Sequence, residues 1–300
     1  MSNPILSFSA RRRMRSVRTP LLITLYALVL SVIGYFAVCH PFVQDTFTLQ
    51  QIMNGSLGYM GIVLLQFVLI LLVAPAMTAG SISGERERQT LDLLMVTNMG
   101  PGRLVWGTLL ESFAFLALLV MSSLPVLSLT LITGVVNPGQ VLVSTAFLLV
   151  AALAALSVGL FCSSLLKRTV TATVVSYVAL LGIGVVTLLP LFYDVKRIGD
   201  LYDAMQSSGV QQVMLDYIPI SFVLNPGLGL FSMLVSQGRD LTGYLWQFSY
   251  TLGNTGTMLH YEWFFVINMG VMLVASLALI ALSALNMKVK GVPKRGKAHA

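Results

Sequence analysis

Five charged residues fall within eight positions of a chain that is otherwise sparing with charge: Glu85, Arg86, Glu87, Arg88 and Asp92. They belong to one polar stretch, 81–103, which reads SISGERERQTLDLLMVTNMGPGR. The spacing predicts a helix over 84–95. Glu85 and Glu87 fall in its first turn, where carboxylates suit the positive end of the helix dipole. Glu85 can pair with Arg88 or Gln89. Leu91, Leu94 and Met95 then share one face, and Gly100, Pro101 and Gly102 stop the helix. Two readings are open: a solvated loop with a charge run, or a short cytoplasmic helix that offers an apolar face to a soluble partner. The other residues able to do chemistry are scattered. His40, His260 and His299 are isolated, with no ligand partners at metal spacing. Cys39 and Cys162 read as small apolar residues, outside any disulfide framework. No Ser/His/Asp order and no carboxylate-rich prenyl-transferase motif stands out. Gly291 to Lys297 fits GxxxxGK, but Ala298 follows where a phosphate-binding loop needs Ser or Thr, and the upstream element is apolar. No nucleotide site, metal site or cofactor is expected.

The elements that must position these residues are apolar. Over 300 residues, 56% are hydrophobic and 10% charged, with a mean hydropathy of +0.86, which is not a soluble globular composition. Runs of about 20 to 25 residues suffice to cross a hydrocarbon core as helix, and in lipid such runs must be helical. The expectation is an all-α integral membrane protein with six spans, at about 20–39, 58–79, 104–132, 141–166, 169–192 and 263–287. Residues 2–19 form an amphipathic arm, with Leu6, Ala10, Met14 and Val17 on one stripe against five arginines, lying on the inner leaflet. Thr19 caps the first span, and Pro20 takes its first position. Pro125 is placed to kink the outer half of the third span. Residues 134–140 form a tight external turn. The fourth span is rich in Ala, Ser and Gly over 151–164, which favours close helix packing.

Residues 193–261 form the largest external element. Its apolar part, 218–235, is interrupted by Pro219, Asn225, Pro226, Gly227 and Gly229, and suits a re-entrant or interfacial segment. Gln66 and Glu111 are candidate residues inside spans. Gln66, mid-span, faces either a helix neighbour or a transport cavity. Glu111 lies about two turns inside the third span, as a functional carboxylate or as half of a structural ion pair.

The net charge of +7 raises nucleic acid as a partner, but its distribution argues otherwise. Fifteen of the 18 Lys and Arg fall on one side of the six-span layout: five in the arm, three in 81–103, two at Lys167 and Arg168, and five in the tail. The other three are Lys196, Arg197 and Arg239. This bias makes the arm, the polar stretch and the tail cytoplasmic, with anionic headgroups as partners of the basic ends.

GERERQTLDLL resembles the signature cytoplasmic loop of the type-2 permease family of ATP-binding-cassette (ABC) exporters, commonly GEREKGTLELL after a second membrane helix. The opening NPILSFSARRRMRSVRTPLLITLY is similar to that family's Asn-Pro start and Arg-rich stretch ahead of the first span. Residues beyond about 193 carry little of the likeness. The resemblance implies a plasma-membrane permease without catalytic residues of its own. It would pair with a second permease subunit and dock two separate ATPase subunits through Glu85, Arg86, Glu87, Arg88, Leu91, Leu94 and Met95. By the same analogy Tyr26, Gln66, Ser176 and Tyr177 line a cavity. The rival class is an intramembrane enzyme or a non-transport scaffold. A channel or secondary carrier lacks the expected paired broken helices.

The charge split sets a topology test. In intact cells, Ser7→Cys, Gly102→Cys and Gly296→Cys should be shielded from an impermeant thiol reagent, and Ser208→Cys should be labelled. Labelling at position 296 with none at 208 overturns the six-span layout.

Overall fold

The structure, a computed structural model, describes residues 18–35, 49–90, 101–132, 136–189, 220–237 and 261–290. Among these residues the chain is all helical, with no strand. The helices are α1 (Arg18–Gly34), α2 (Leu49–Thr78), α3 (Ser81–Glu87), α4 (Pro101–Ser122), α5 (Leu124–Ile132), α6 (Pro138–Leu165), α7 (Thr169–Val186), α8 (Ile220–Val223), α9 (Pro226–Gln237) and α10 (Tyr261–Lys290). Five stretches are long and apolar enough to cross a membrane. They are α2 running on into α3 (Gly58–Glu87, apolar as far as Ala79), α4 with α5 (Gly102–Leu131), α6, α7, and Phe264–Met287 within α10. The apolar part of α1, Thr24–Gly34, is shorter. The rest of the first expected span, the amphipathic arm ahead of Arg18, the first half of the 193–261 element and the tail after Lys290 lie outside the described residues.

α6 is the hub. It packs against α2, α3, α4, α7, α9 and α10, and the small residues expected to permit this are buried in it: Ala151, Ala152, Ala155, Ser157, Gly159, Ser163 and Ser164. The closest approach is at Gly159, where a Cβ would fall 2.2 Å from the Thr78 hydroxyl oxygen and 3.3 Å from the Pro75 Cα. Pro75 lies inside α2 and cannot donate a backbone hydrogen bond. Thr78 donates instead across the seam, to the Leu156 carbonyl at 3.1 Å. The core around this seam is aliphatic and aromatic: Ile62, Val63, Phe67 and Ile70 of α2 with Phe147, Leu148, Leu156 and Leu160 of α6.

Contacts also set direction. The Tyr59 hydroxyl lies 3.0 Å from Ser144 Oγ, and Ile82 N–H at the head of α3 donates to Ser163 Oγ at 3.0 Å. Residue numbers rise together on both helices, so α2 and α6 run parallel. α7 runs the other way, since its start meets Glu87 and its Tyr177 hydroxyl donates back to the Leu72 carbonyl.

Several boundaries differ from expectation for local reasons. α1 begins at Arg18, so Thr19 lies inside the first turn and is not its cap. α2 begins at Leu49, so 49–57 are helical and not loop. The third stretch breaks at Ser123, as Pro125 leads one to expect: Ser123 N–H reaches only Val120 C=O, and Val126 and Leu127 both donate to Ser123 C=O. Pro138 to Gln140 are the first turn of α6, not a turn outside it. There the Gln140 side chain accepts from the Asn137 N–H at 2.9 Å. α7 ends at Val186.

The interrupted apolar segment folds as α8 and α9, broken at Leu224 and Asn225. Pro226 starts α9 at the position where a missing N–H is harmless. Asn225 Oδ1 accepts from Gly227 N–H (2.8 Å) and Leu228 N–H (3.2 Å), as an N-cap side chain does. Asn225 Nδ2 donates to Gly184 C=O and Thr187 Oγ1, which ties the break to the end of α7. Asn268 of α10 donates to Val223 C=O (2.6 Å) and Asn225 C=O (3.1 Å). Gly229 sits under that amide, where a Cβ would fall 2.0 Å from Asn268 Oδ1. At its far end, α9 is held by Gln237, which exchanges amide hydrogen bonds with Gln140 and accepts from Tyr59.

Gly159→Leu should therefore lower stability by about 1–3 kcal/mol, the usual cost of overpacking, read as a fall in the thermal unfolding midpoint in detergent. Gly61→Ala, where a Cβ meets nothing within 4 Å, should not lower it. Equal effects would show that the α2–α6 approach is not a tight one.

Candidate functional site

The charged stretch is built onto the end of α2. Pro75 C=O accepts from Ala79 N–H, and a two-residue turn at Ala79 and Gly80 leads into α3. Gly80 has no side chain to cap the new helix, and its first free N–H groups, from Ile82 and Ser83, donate to Ser163 Oγ of α6 at 3.0 and 2.9 Å. A side chain about 80 residues away thus supplies the cap. Gly84 allows α3 to lie against the start of α7, since a Cβ there would meet Thr169 Cγ2 at 3.3 Å.

Two charges of the motif then bind the connection between α6 and α7. Arg86 donates to the Leu166 carbonyl, at the C-terminal end of α6, at 3.4 Å. Glu87 Oε2 accepts from the Thr169 N–H at 3.1 Å and from its hydroxyl at 2.8 Å, at the N-terminal end of α7. A cation thus meets the negative end of one dipole and an anion the positive end of the next. Glu87 lies beyond the apolar part of its helix. Its hydrogen bonds from Thr169, backbone first and hydroxyl second, hold its carboxyl below the usual carboxylate value, and Arg168 and Arg88 add to this.

This corrects the expected helix over 84–95. α3 ends at Glu87, because Gln89 takes a left-handed conformation with φ of 58°. Gln89 N–H donates to Arg86 C=O and Thr90 N–H to Glu85 C=O, the pair of reversed bonds of a Schellman C-cap. Glu85 and Glu87 therefore sit in the last turns of α3, not the first. Glu85 pairs neither with Arg88 nor with Gln89; its carboxylate accepts from the Thr90 hydroxyl. Arg88 is exposed. Leu91, Leu94, Met95 and Asp92 lie outside the described residues. Pro101 and Gly102 open α4, and Gly100 lies outside the described residues.

The four residues assigned to a cavity by analogy sit differently. Gln66 is fully buried, and neither polar atom of its amide has a hydrogen-bond partner among the described residues. Tyr26 lies beside Ser123 without hydrogen-bonding geometry. Ser176 is buried and bonds back to Ala172 C=O in its own helix, whereas Tyr177 ties α7 to α2. Glu111 is half-buried on α4. Among the described residues no three His, Cys, Asp or Glu side chains group as a metal site, and Cys162 is buried.

Sequence reasoning missed Ser163, Leu166 and Thr169, the partners of the charged stretch. Their one visible signal is position, flanking Lys167 and Arg168 where two apolar runs meet. It also missed Asn225 as a cap and Asn268 as its partner.

Glu87→Ala should raise hydrogen exchange at the first turn of α7, over 169–172, and Glu85→Ala should not. A lowered carboxylate contributes above its unfolded value and is lost as pH falls through its folded one. The protection factor of that turn should therefore hold at neutral pH and drop below the ordinary carboxylate range, with the drop abolished in Glu87→Gln. Unchanged exchange in Glu87→Ala would show that Glu87 does not hold the turn. In comparisons with known proteins, the chain matches no family model and no curated protein.

Proposed function

We propose that this chain is the membrane subunit of an ABC-type exporter: a six-span permease of the plasma membrane with both ends cytoplasmic. It works beside a second permease subunit and is driven by separate ATPase subunits docked at the 81–103 segment. The observation that carries the reading is the attachment of that segment to α6 and α7 through Ser163, Arg86 and Glu87. A pull on it acts at once on the ends of two membrane-length helices, as a coupling element requires. The likeness of GERERQTLDLL and of the N-terminal arm to the exporter family supplies the prior. The parallel run of α2 and α6 fits one outward crossing, α4 with α5, between them. The break at Asn225, held between α7 and α10, fits a re-entrant segment before the last span.

A path for cargo is supported by Gln66 and Tyr26. Buried polar atoms without partners are costly in an apolar setting, and such groups find partners when water or substrate reaches them in another state of the transport cycle. Ser176 and Tyr177, already bonded within the protein, are less available for this.

The test is co-purification of the ATPase from detergent. Leu91→Ala with Leu94→Ala removes two apolar anchors, each commonly costing about 2 kcal/mol or more at an interface. Docking should weaken by roughly a hundredfold or more, while the variant still inserts and folds. Retention of the ATPase at wild-type level would remove the main support for this function.

A further inference from the structure

α7 is the least covered of the membrane-length helices. Val170, Val174, Val178, Leu181 and Val185 follow at helical spacing along one stripe, each exposed by 55% to 72%. The stripe is about 22 Å long at 1.5 Å per residue. Directly ahead of it in the chain stand Lys167 and Arg168, both exposed, with the exposed Leu165 before them. Arg88 joins this end: it and Arg168 both lie close enough to Glu87 to act on its carboxylate. Glu87 offsets one of the three cations, so the end of the stripe stays positive.

We propose that this surface binds an anionic phospholipid, its headgroup phosphate meeting Lys167, Arg168 and Arg88 and an acyl chain lying along the stripe. The threonines of this helix add no polar demand to the face, because Thr171 and Thr173 donate back to Arg168 C=O and Thr169 C=O. A second copy of the chain packed symmetrically on the stripe would set its own Lys167, Arg168 and Arg88 against these, like against like. A phosphate removes that conflict, and a basic cluster at the end of membrane helices is a recurring headgroup site. The proposal does not depend on the export reading.

The experiment heats the purified full chain in neutral detergent with equal amounts of phosphatidylglycerol or phosphatidylcholine. Phosphatidylglycerol should raise the unfolding temperature by about 3 °C or more over phosphatidylcholine, as a ligand of the folded state does, and inorganic phosphate should not. Lys167→Gln with Arg168→Gln should erase the difference, and the swap Lys167→Arg with Arg168→Lys should keep it. Native mass spectrometry gives a second measure if the Gln pair unfolds early: wild type and swap should retain phosphatidylglycerol, and the Gln pair should lose it. Equal effects of the two lipids, a gain unchanged in the Gln pair, or an equal gain from inorganic phosphate would each overturn the proposal. So would a Gln pair that turns from dimer to monomer while keeping the gain, which would give the stripe to a second copy.

Discussion

A polar group inside an apolar helix bundle has no water to turn to, so it must find its partner within the protein. Most of the described hydroxyls meet this by folding back on their own helix: Ser176 to Ala172, Ser276 to Met272, Ser283 to Leu279. The ones that reach across decide the architecture. Thr78 to Leu156, Ser163 to the head of α3 and Asn268 to the α8–α9 break each tie together elements far apart in the chain. Gly159 is the counterpart of these bonds, since only a residue without a side chain brings α6 close enough for Thr78 to reach it.

Where helices end, the same demand takes an electrostatic form. The connection from α6 to α7 is three residues long and would leave a carbonyl end and an amide end side by side. Arg86 and Glu87, adjacent in sequence, answer one end each. The charge alternation in GERER thus has a structural use, with Arg88 left exposed. Gln89 pays the strain of a left-handed residue so that α3 stops where both contacts are in reach.

Three buried polar groups break the rule. Both atoms of Gln66, the Tyr26 hydroxyl and Asn268 Oδ1 have no partner among the described residues. Asn268 is explained by its place: its other atom holds two carbonyls, and the orphan oxygen rests on Gly229. Gln66 on α2 and Tyr26 on α1 have no such explanation among the described residues.

Much of the helical layout was legible in the sequence, because an apolar run of membrane length admits helix alone. The break near Pro125, the small-residue seam of α6 and the interruption at Asn225 and Pro226 followed from backbone geometry, which is local. Fine boundaries did not follow, since Leu49 to Leu57 and Pro138 to Gln140 carry no strong apolar signal, and the Pro138 turn is held by Gln140 bonding to Asn137 and Gln237. The charged stretch shows the divide most plainly. Its composition marked it as the charge-dense segment between long apolar runs, and the periodicity of Leu91, Leu94 and Met95 made a long helix the natural local reading. Only the tertiary structure decided that α3 stops at Glu87 and that its charges face Leu166 and Thr169. The reason is that a capping partner some 80 residues away exerts its pull through space and leaves no mark on local spacing.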